Sequence, residues 1–256
     1  MPKLIDKDKF LDLSDYGRFF AKFISRASLN TGITPVHLTF LFGLSGLLAI
    51  YFILTDHFYL AAFFIILKSV IDAADGELAR MRNKPSYVGR YLDSIFDLIL
   101  NFLFLMVFYW KSDVSIFIML IAFFSLQTQG TLYNYYYVIL RNKSAGSDHT
   151  SQIFEINAPD AYPGESQQKV NFLFQWYKLS YGLFDKIIYY LDPKASKATS
   201  FPSLFMTFLS MYGLGFQLLI MSFLLTINKL EWILPSIIGL NFFFFPFIWY
   251  RKKFIQ

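Results

Sequence analysis

The sequence predicts an all-α membrane protein with six transmembrane helices, and three observations carry that prediction. Hydrophobic residues make up 55% of the 256 residues, Phe alone numbers 32, and the mean hydropathy is +0.44, values above those of a soluble domain. The apolar residues fall in six runs, at about 36–55, 59–79, 91–110, 114–138, 204–227 and 232–250. Each is near the ~20 residues a helix needs to cross ~30 Å of hydrocarbon. Lys and Arg then sort by side: twenty lie on one side of these runs, and only Lys111 and Lys229 on the other. An excess of that kind marks the cytoplasm, so both termini are expected there.

The elements follow in order. Residues 1–35 read as a cytoplasmic tail with an interfacial helix, and residues 36–256 as a six-helix transmembrane domain with a cytoplasmic insertion at about 141–197. Over 9–28, Leu13, Tyr16, Phe20, Phe23 and Ile24 gather on one face, opposite Asp15, Arg18, Lys22 and Arg26; that pattern predicts a helix lying on the bilayer surface. The first apolar run starts only after a charged stretch, so the beginning lacks the layout of a cleavable signal peptide. NTGITP (30–35) is a turn that places Pro35 in the first turn of span one. Span two is the least apolar, because Lys68, Asp72 and Asp75 interrupt it. Residues 141–167 are polar and rich in Ser, Gly, Asp and Pro, which predicts a loop. Over 168–192, Phe172, Trp176, Leu179, Leu183 and Ile187 recur at helical spacing, predicting a second interfacial helix that Asp192-Pro193 ends.

Composition also excludes. With no Cys there are no disulfides, thiolate metal sites or Cys nucleophiles. The net charge of +5 is accounted for by the sidedness of the basic residues, so no nucleic-acid partner is invoked. His37, His57 and His149 receive no role, and Gln217 and Asn241 read as packing residues. Gln127, Thr131 and Asn134 either line a cavity, with Arg141 holding an acceptor's phosphate, or make interhelical hydrogen bonds; no site is assigned there.

The informative stretch is DAADGELARMRNKPSYVGRYLDSIFD, residues 72–97. Asp72 and Asp75 are i,i+3 on the helix entering the cytoplasmic side, and Gly76 and Ala79 continue their face. After the turn Asn83-Lys84-Pro85-Ser86, Gly89, Asp93 and Asp97 form a second stripe, which Asn101 extends. The two helices, joined by so short a link, are expected to be antiparallel neighbours. Glu77 lies about 140° around the helix from Asp72 and reads as a surface acid. Lys68, one turn deeper than Asp72, either balances the acids or snorkels. An ionised Asp deep in a bilayer costs roughly 2.5–3.5 kcal/mol on insertion scales. Pairing with nearby Arg and Lys explains one or two such acids, but not four on matching stripes with small residues between them. Divalent cations do. All-oxygen ligands without His or Cys favour Mg²⁺, Mn²⁺ or Ca²⁺, and two ions beside four carboxylates suit phosphoryl chemistry.

The spacing D-x2-D-G-x2-A-R-x8-G-x3-D-x3-D resembles the signature of the CDP-alcohol phosphotransferase (CDP-alcohol phosphatidyltransferase) family, and Asp72, Asp75, Gly76, Ala79, Arg80, Gly89, Asp93 and Asp97 fill its eight fixed positions. The long 141–197 segment departs from compact members, as does Val36-His37 where many have Asn. The resemblance implies an integral membrane enzyme of phospholipid synthesis. It would transfer a substituted phosphate from a CDP-linked donor to an alcohol and release CMP. By analogy the donor is CDP-diacylglycerol; the alternative is a CDP-amino alcohol with diacylglycerol as acceptor. A cation-binding transporter is the alternative of another class. In the family pattern Asp72, Asp75, Asp93 and Asp97 match metal ligands, with two Mg²⁺ or Mn²⁺ ions expected. Asp97 also matches the acid that deprotonates the acceptor, Gly76, Ala79 and Gly89 match positions of close nucleotide approach, and Arg80 matches a basic position beside the pyrophosphate. The resemblance also implies a homodimer. The site is expected to face the cytoplasm from the inner leaflet, since Asp97 lies about 12 Å along the helix from Gly89.

Overall fold

The structure, a computed structural model, describes residues 4, 6–143, 155–198 and 200–255. The loop predicted over 141–167 therefore lies partly outside the described residues, as does His149. Among the described residues there is no strand. The α-helices are α1 (Arg18–Ser28), α2 (Pro35–Leu54), α3 (Phe58–Met81), α4 (Tyr87–Lys111), α5 (Ile116–Lys143), α6 (Gln167–Leu191), α7 (Ser203–Leu209), α8 (Leu214–Thr226), α9 (Ile233–Leu240) and α10 (Phe244–Phe254).

The chain is an all-α membrane protein. α2, α4, α5 and the stretch Leu230–Phe254 are long and apolar enough to cross a bilayer, and α7–α8 form a fifth candidate bent by 54°. The remaining expected span is α3. Its 24 residues reach about 36 Å at the helical rise, but Lys68, Asp72, Asp75, Glu77 and Arg80 keep it out of the apolar class. It packs against α1, α2 and α8.

Two predicted spans are not continuous helices. The fifth breaks at Gly213, whose backbone is extended (φ −66°, ψ 143°) between α7 and α8. The sixth is interrupted by a 3₁₀ turn at Asn241–Phe243. The first interfacial helix is also shorter than the 9–28 pattern suggests. Asp12 Oδ1 accepts from both the backbone N–H and the hydroxyl of Ser14, at 3.0 and 2.6 Å, and this local bonding competes with helix formation. A 3₁₀ turn at Leu13–Asp15 results, and α1 starts at Arg18. Its small residues Ala21, Ser25 and Ser28 are buried, with Ser25 donating to the Ala74 carbonyl of α3 at 2.8 Å. Phe19, Phe20 and Phe23 are left exposed, the arrangement of a helix that lays an aromatic face in the interface.

Helix ends are closed by specific partners. Thr34 and His37 form a capping box at the start of α2: His37 N–H donates to Thr34 Oγ1, and Thr34 N–H donates to His37 Nδ1. This gives His37 a structural role. Arg82 Nη2 donates to the carbonyls of Ser28, Leu29 and Thr31 at 2.8, 3.1 and 2.9 Å, so the basic turn after α3 also terminates α1. At the other end of the chain, Asp192 is fully buried, pairs with Arg251 of α10, and accepts from Tyr136 Oη at 2.7 Å. That network ties α6, α5 and α10 together. Gln217 and Asn241 pack as expected: Gln217 donates to Gln129 Oε1, and Gln129 donates to Asn241 Oδ1, at 2.9 and 2.8 Å.

Candidate active site

The turn Arg82–Ser86 links α3 to α4, with Asn83 in the left-handed region (φ 51°). α3 and α4 are neighbours through this turn and meet through the Lys68–Asp97 pair and their converging carboxylates, while both pack on α2. On the α2 side the contact is tight: a Cβ at Gly43 would lie 2.7 Å from the Phe96 ring, and one at Gly46 would lie 2.7 Å from Leu100. Phe96 and Leu100 thus seat α4 on α2 and fix where Asp93 and Asp97 stand.

Carboxylates converge between the two helices. Asp72 and Asp75 of α3 and Asp93 of α4 each offer an oxygen, and these oxygens lie within 4.8 Å of one another. Asp75 is buried and accepts from Thr39 Oγ1 of α2 at 2.9 Å. Asp93 Oδ1 is buried and makes no hydrogen bond. Three converging carboxylates with an orphaned buried oxygen form a donor set that fits a hard divalent cation.

Asp97 stands apart from this triad. It pairs with Lys68, whose ammonium is fully buried and also lies 3.6 Å from Asp72. Lys68 Nζ further sits 4.9 Å from the centre of the Phe42 ring. Of the two readings open in the sequence, the structure selects the first: Lys68 does not snorkel but balances the acids. Gly76, Ala79 and Arg80 on α3 and Gly89 on α4 are all half-buried. Arg80 folds back over Gly76 and bonds Glu77 at 2.7 Å. Gly89 donates its N–H to Ser86 Oγ, the N-cap of α4, at 2.8 Å.

The chain belongs to the CDP-alcohol phosphatidyltransferase family. The model of that family matches residues 32–179, more than half of the chain and all of the helices that carry the acids. No individual curated protein and no solved structure matches. As a CDP-alcohol phosphatidyltransferase, the protein is a transferase that moves a phosphoalcohol group from a CDP-alcohol to an alcohol acceptor in lipid synthesis.

Two features of this family member were not legible as site residues. Glu165, in the loop before α6, accepts from Ser86 Oγ and from the N–H groups of Tyr87 and Val88 at 2.6, 3.1 and 3.0 Å. It closes the N-terminus of the acid-bearing helix α4, where a carboxylate is favoured. Glu155 is nearly fully buried, pairs with Arg90 at 2.6 Å and accepts from Tyr91 Oη at 2.7 Å. α6 then lies along α4, and Tyr181 donates to the Ser94 carbonyl at 3.0 Å. Glu155, Glu165 and α6 therefore brace α4. Glu165→Ala is expected to cost about 1–2 kcal/mol as a lost cap, lowering the thermal midpoint, and to slow CMP release several-fold. Thermal unfolding and turnover of the detergent-solubilised variant measure both.

Thr131 and Asn134 of α5 face a small polar cavity shared with Tyr177 and Asp185 of α6. Burial pushes the Asp185 carboxyl up to about 7, and Glu155 adds to this, against a hydrogen bond from Tyr177 and the charge of Arg90. The folded protein then binds the Asp185 proton more tightly than the unfolded chain, whose Asp titrates near ~3.9. Its contribution to stability falls as pH rises from about 4 to about 7 and is level above. Asp185→Asn should thus be more stable than the parent at pH 8 and lose that advantage near pH 4, read as thermal midpoints across the pH series.

Proposed function

We propose that the protein transfers a phosphatidyl group from CDP-diacylglycerol to a water-soluble alcohol on the cytoplasmic face, with Mg²⁺ or Mn²⁺ held by Asp72, Asp75 and Asp93. The convergence of those three carboxylates in a member of this family is the observation that carries the reading. A bound divalent cation supplies charge neutralisation at the pyrophosphate being cleaved. The chain's own residues do the rest. Gly76, Ala79 and Gly89 keep the gap between α3 and α4 low enough for a nucleotide to approach. Arg80, already turned over Gly76, is placed to meet the pyrophosphate. Asp97, released from Lys68, takes the acceptor's proton and completes the acid set for a second ion. Its work as a base rests on close positioning at the acceptor hydroxyl. The exposed aromatic faces of α1 and α6 fit an inner-leaflet setting in which a lipid enters sideways and the alcohol arrives from water.

The test is CMP release by purified protein, with CDP-diacylglycerol plus a panel of glycerol 3-phosphate, serine, inositol, inositol phosphate and choline, with and without chelator. One acceptor should support turnover that chelator abolishes and Mg²⁺ restores. Turnover only with a CDP-amino alcohol and diacylglycerol would reverse the donor and acceptor. Failure of every CDP donor by well-folded protein would sink the reading.

A further inference from the structure

The four acids are not held alike. On the triad side, Asp75 is oriented by Thr39 of α2, whose hydroxyl donates to Asp75 Oδ2 at 2.9 Å, with both residues buried. Asp93 keeps a buried oxygen that meets no donor. A neutral hydroxyl orients a carboxylate without competing for a cation, and carboxylates held in this way ligate metals more tightly. Asp72, Asp75 and Asp93 are thus set to take an ion as they stand.

Asp97 is held by a charge instead. Lys68 Nζ pairs with Asp97 and lies 3.6 Å from Asp72 Oδ2. The ammonium therefore links an acid of the triad to the acid outside it. The Lys68 side chain is fully buried, whereas Asp72 and Asp97 each keep part of their surface exposed. The positive charge thus sits on the closed side of the acids. A buried ammonium has to stay paired, so an ion that takes Asp97 must overcome that pairing. A divalent cation placed between Asp72 and Asp97 would also meet the ammonium as a like charge at close range.

We propose that Lys68 is the resident cation of a second ion position: one divalent cation binds at Asp72, Asp75 and Asp93, and a second, shared by Asp72 and Asp97, enters only by displacing the Lys68 ammonium from Asp97. This rests on the reading that the acids hold divalent cations. The two positions then differ in affinity and fill in order. The Phe42 ring, whose centre lies 4.9 Å from Lys68 Nζ, offers the displaced ammonium a face that attracts cations. Displacement frees Asp97 in the same step that seats the second ion. The acid assigned to the acceptor hydroxyl therefore stays masked until the site is loaded. Lys68 acts through Asp97 and is a positioning residue.

The experiment titrates Mn²⁺ into full-length, detergent-solubilised protein, followed by calorimetry and by the Mn²⁺ electron paramagnetic resonance signal. The parent should show one tight event and a second about tenfold weaker or more, the scale on which a unit charge ~4 Å away opposes a divalent ion even in water. Lys68→Met should tighten the second event by about that factor and shift the first much less. At two equivalents of Mn²⁺ the variant's resonance should broaden into that of two coupled ions, while the parent still shows free Mn²⁺. Asp97→Asn should abolish the weak event and spare the tight one, and it decides the matter if Lys68→Met does not fold. Three results overturn the proposal and leave the cation site standing: two equal events in the parent, equal tightening of both events by Lys68→Met, or a weak event that survives Asp97→Asn. A single event in both the parent and Lys68→Met does the same. A parent protein that binds no Mn²⁺ overturns the cation site and the proposal with it.

Discussion

Asp97→Asn is expected to abolish CMP release, by about 10³-fold or more, in a protein that still folds. The chemical half of this expectation follows from the loss of a base placed at the reacting hydroxyl, which is worth roughly 10²–10⁴-fold. The structural half follows from what surrounds Asp97. Removing one partner of a buried ion pair costs about 3–5 kcal/mol when the other is stranded, but Lys68 is not stranded. Asp72 lies 3.6 Å from its ammonium, and the Asn oxygen still accepts a hydrogen bond. The thermal midpoint should therefore fall only slightly while turnover disappears. Turnover within tenfold of the parent would remove Asp97 from the proposed chemistry; an unfolded variant would show that the Lys68 pair is its main role.

Lys68→Met is expected to have the opposite profile, with stability lost first and metal dependence gained. The substitution conserves bulk in a fully buried position and keeps the contact with Phe42. It removes the one ammonium that touches both Asp72 and Asp97, leaving four carboxylates across the α3–α4 gap without it. An uncompensated buried charge of this kind costs about 3–5 kcal/mol. A divalent cation binds only the folded arrangement, so it should restore stability by mass action. The measurement is the thermal midpoint with chelator and with millimolar Mg²⁺. The parent, which also binds the cation only when folded, should gain from Mg²⁺, and the variant should gain more. Equal midpoints in chelator would show that Lys68 does not balance the acids.

The periodic features were legible. Acids at i,i+3 and i,i+4 define the face of a helix whatever it packs against, so the two stripes could be read from spacing alone. The apolar runs and the two turns are likewise local. What escaped the sequence was set by partners distant in the chain. The break at Gly213 lies against Ser14, and Asp12, whose bonding to Ser14 shortens the first interfacial helix, is itself held by Tyr133. The common seat of α3 and α4 on α2 depends on residues of all three helices. Thr39, which donates to Asp75, left a trace, a hydroxyl one turn inside an apolar helix. Glu155 and Glu165 sat in a polar stretch where a carboxylate raises no question, and only the fold shows that they hold α4.

The Glu165 cap also has a place in time. Glu165 lies 78 residues beyond the Tyr87 amide that it satisfies. At roughly 5–20 residues per second of synthesis, the start of α4 waits about 4–16 s for its partner to be made. Throughout that interval Asp93 and Asp97 already exist, but the helix that aims them has an open end. A nascent chain can therefore hold every residue of the signature before it holds the geometry, and the last piece of the acid-bearing hairpin to arrive is one that the hairpin does not encode.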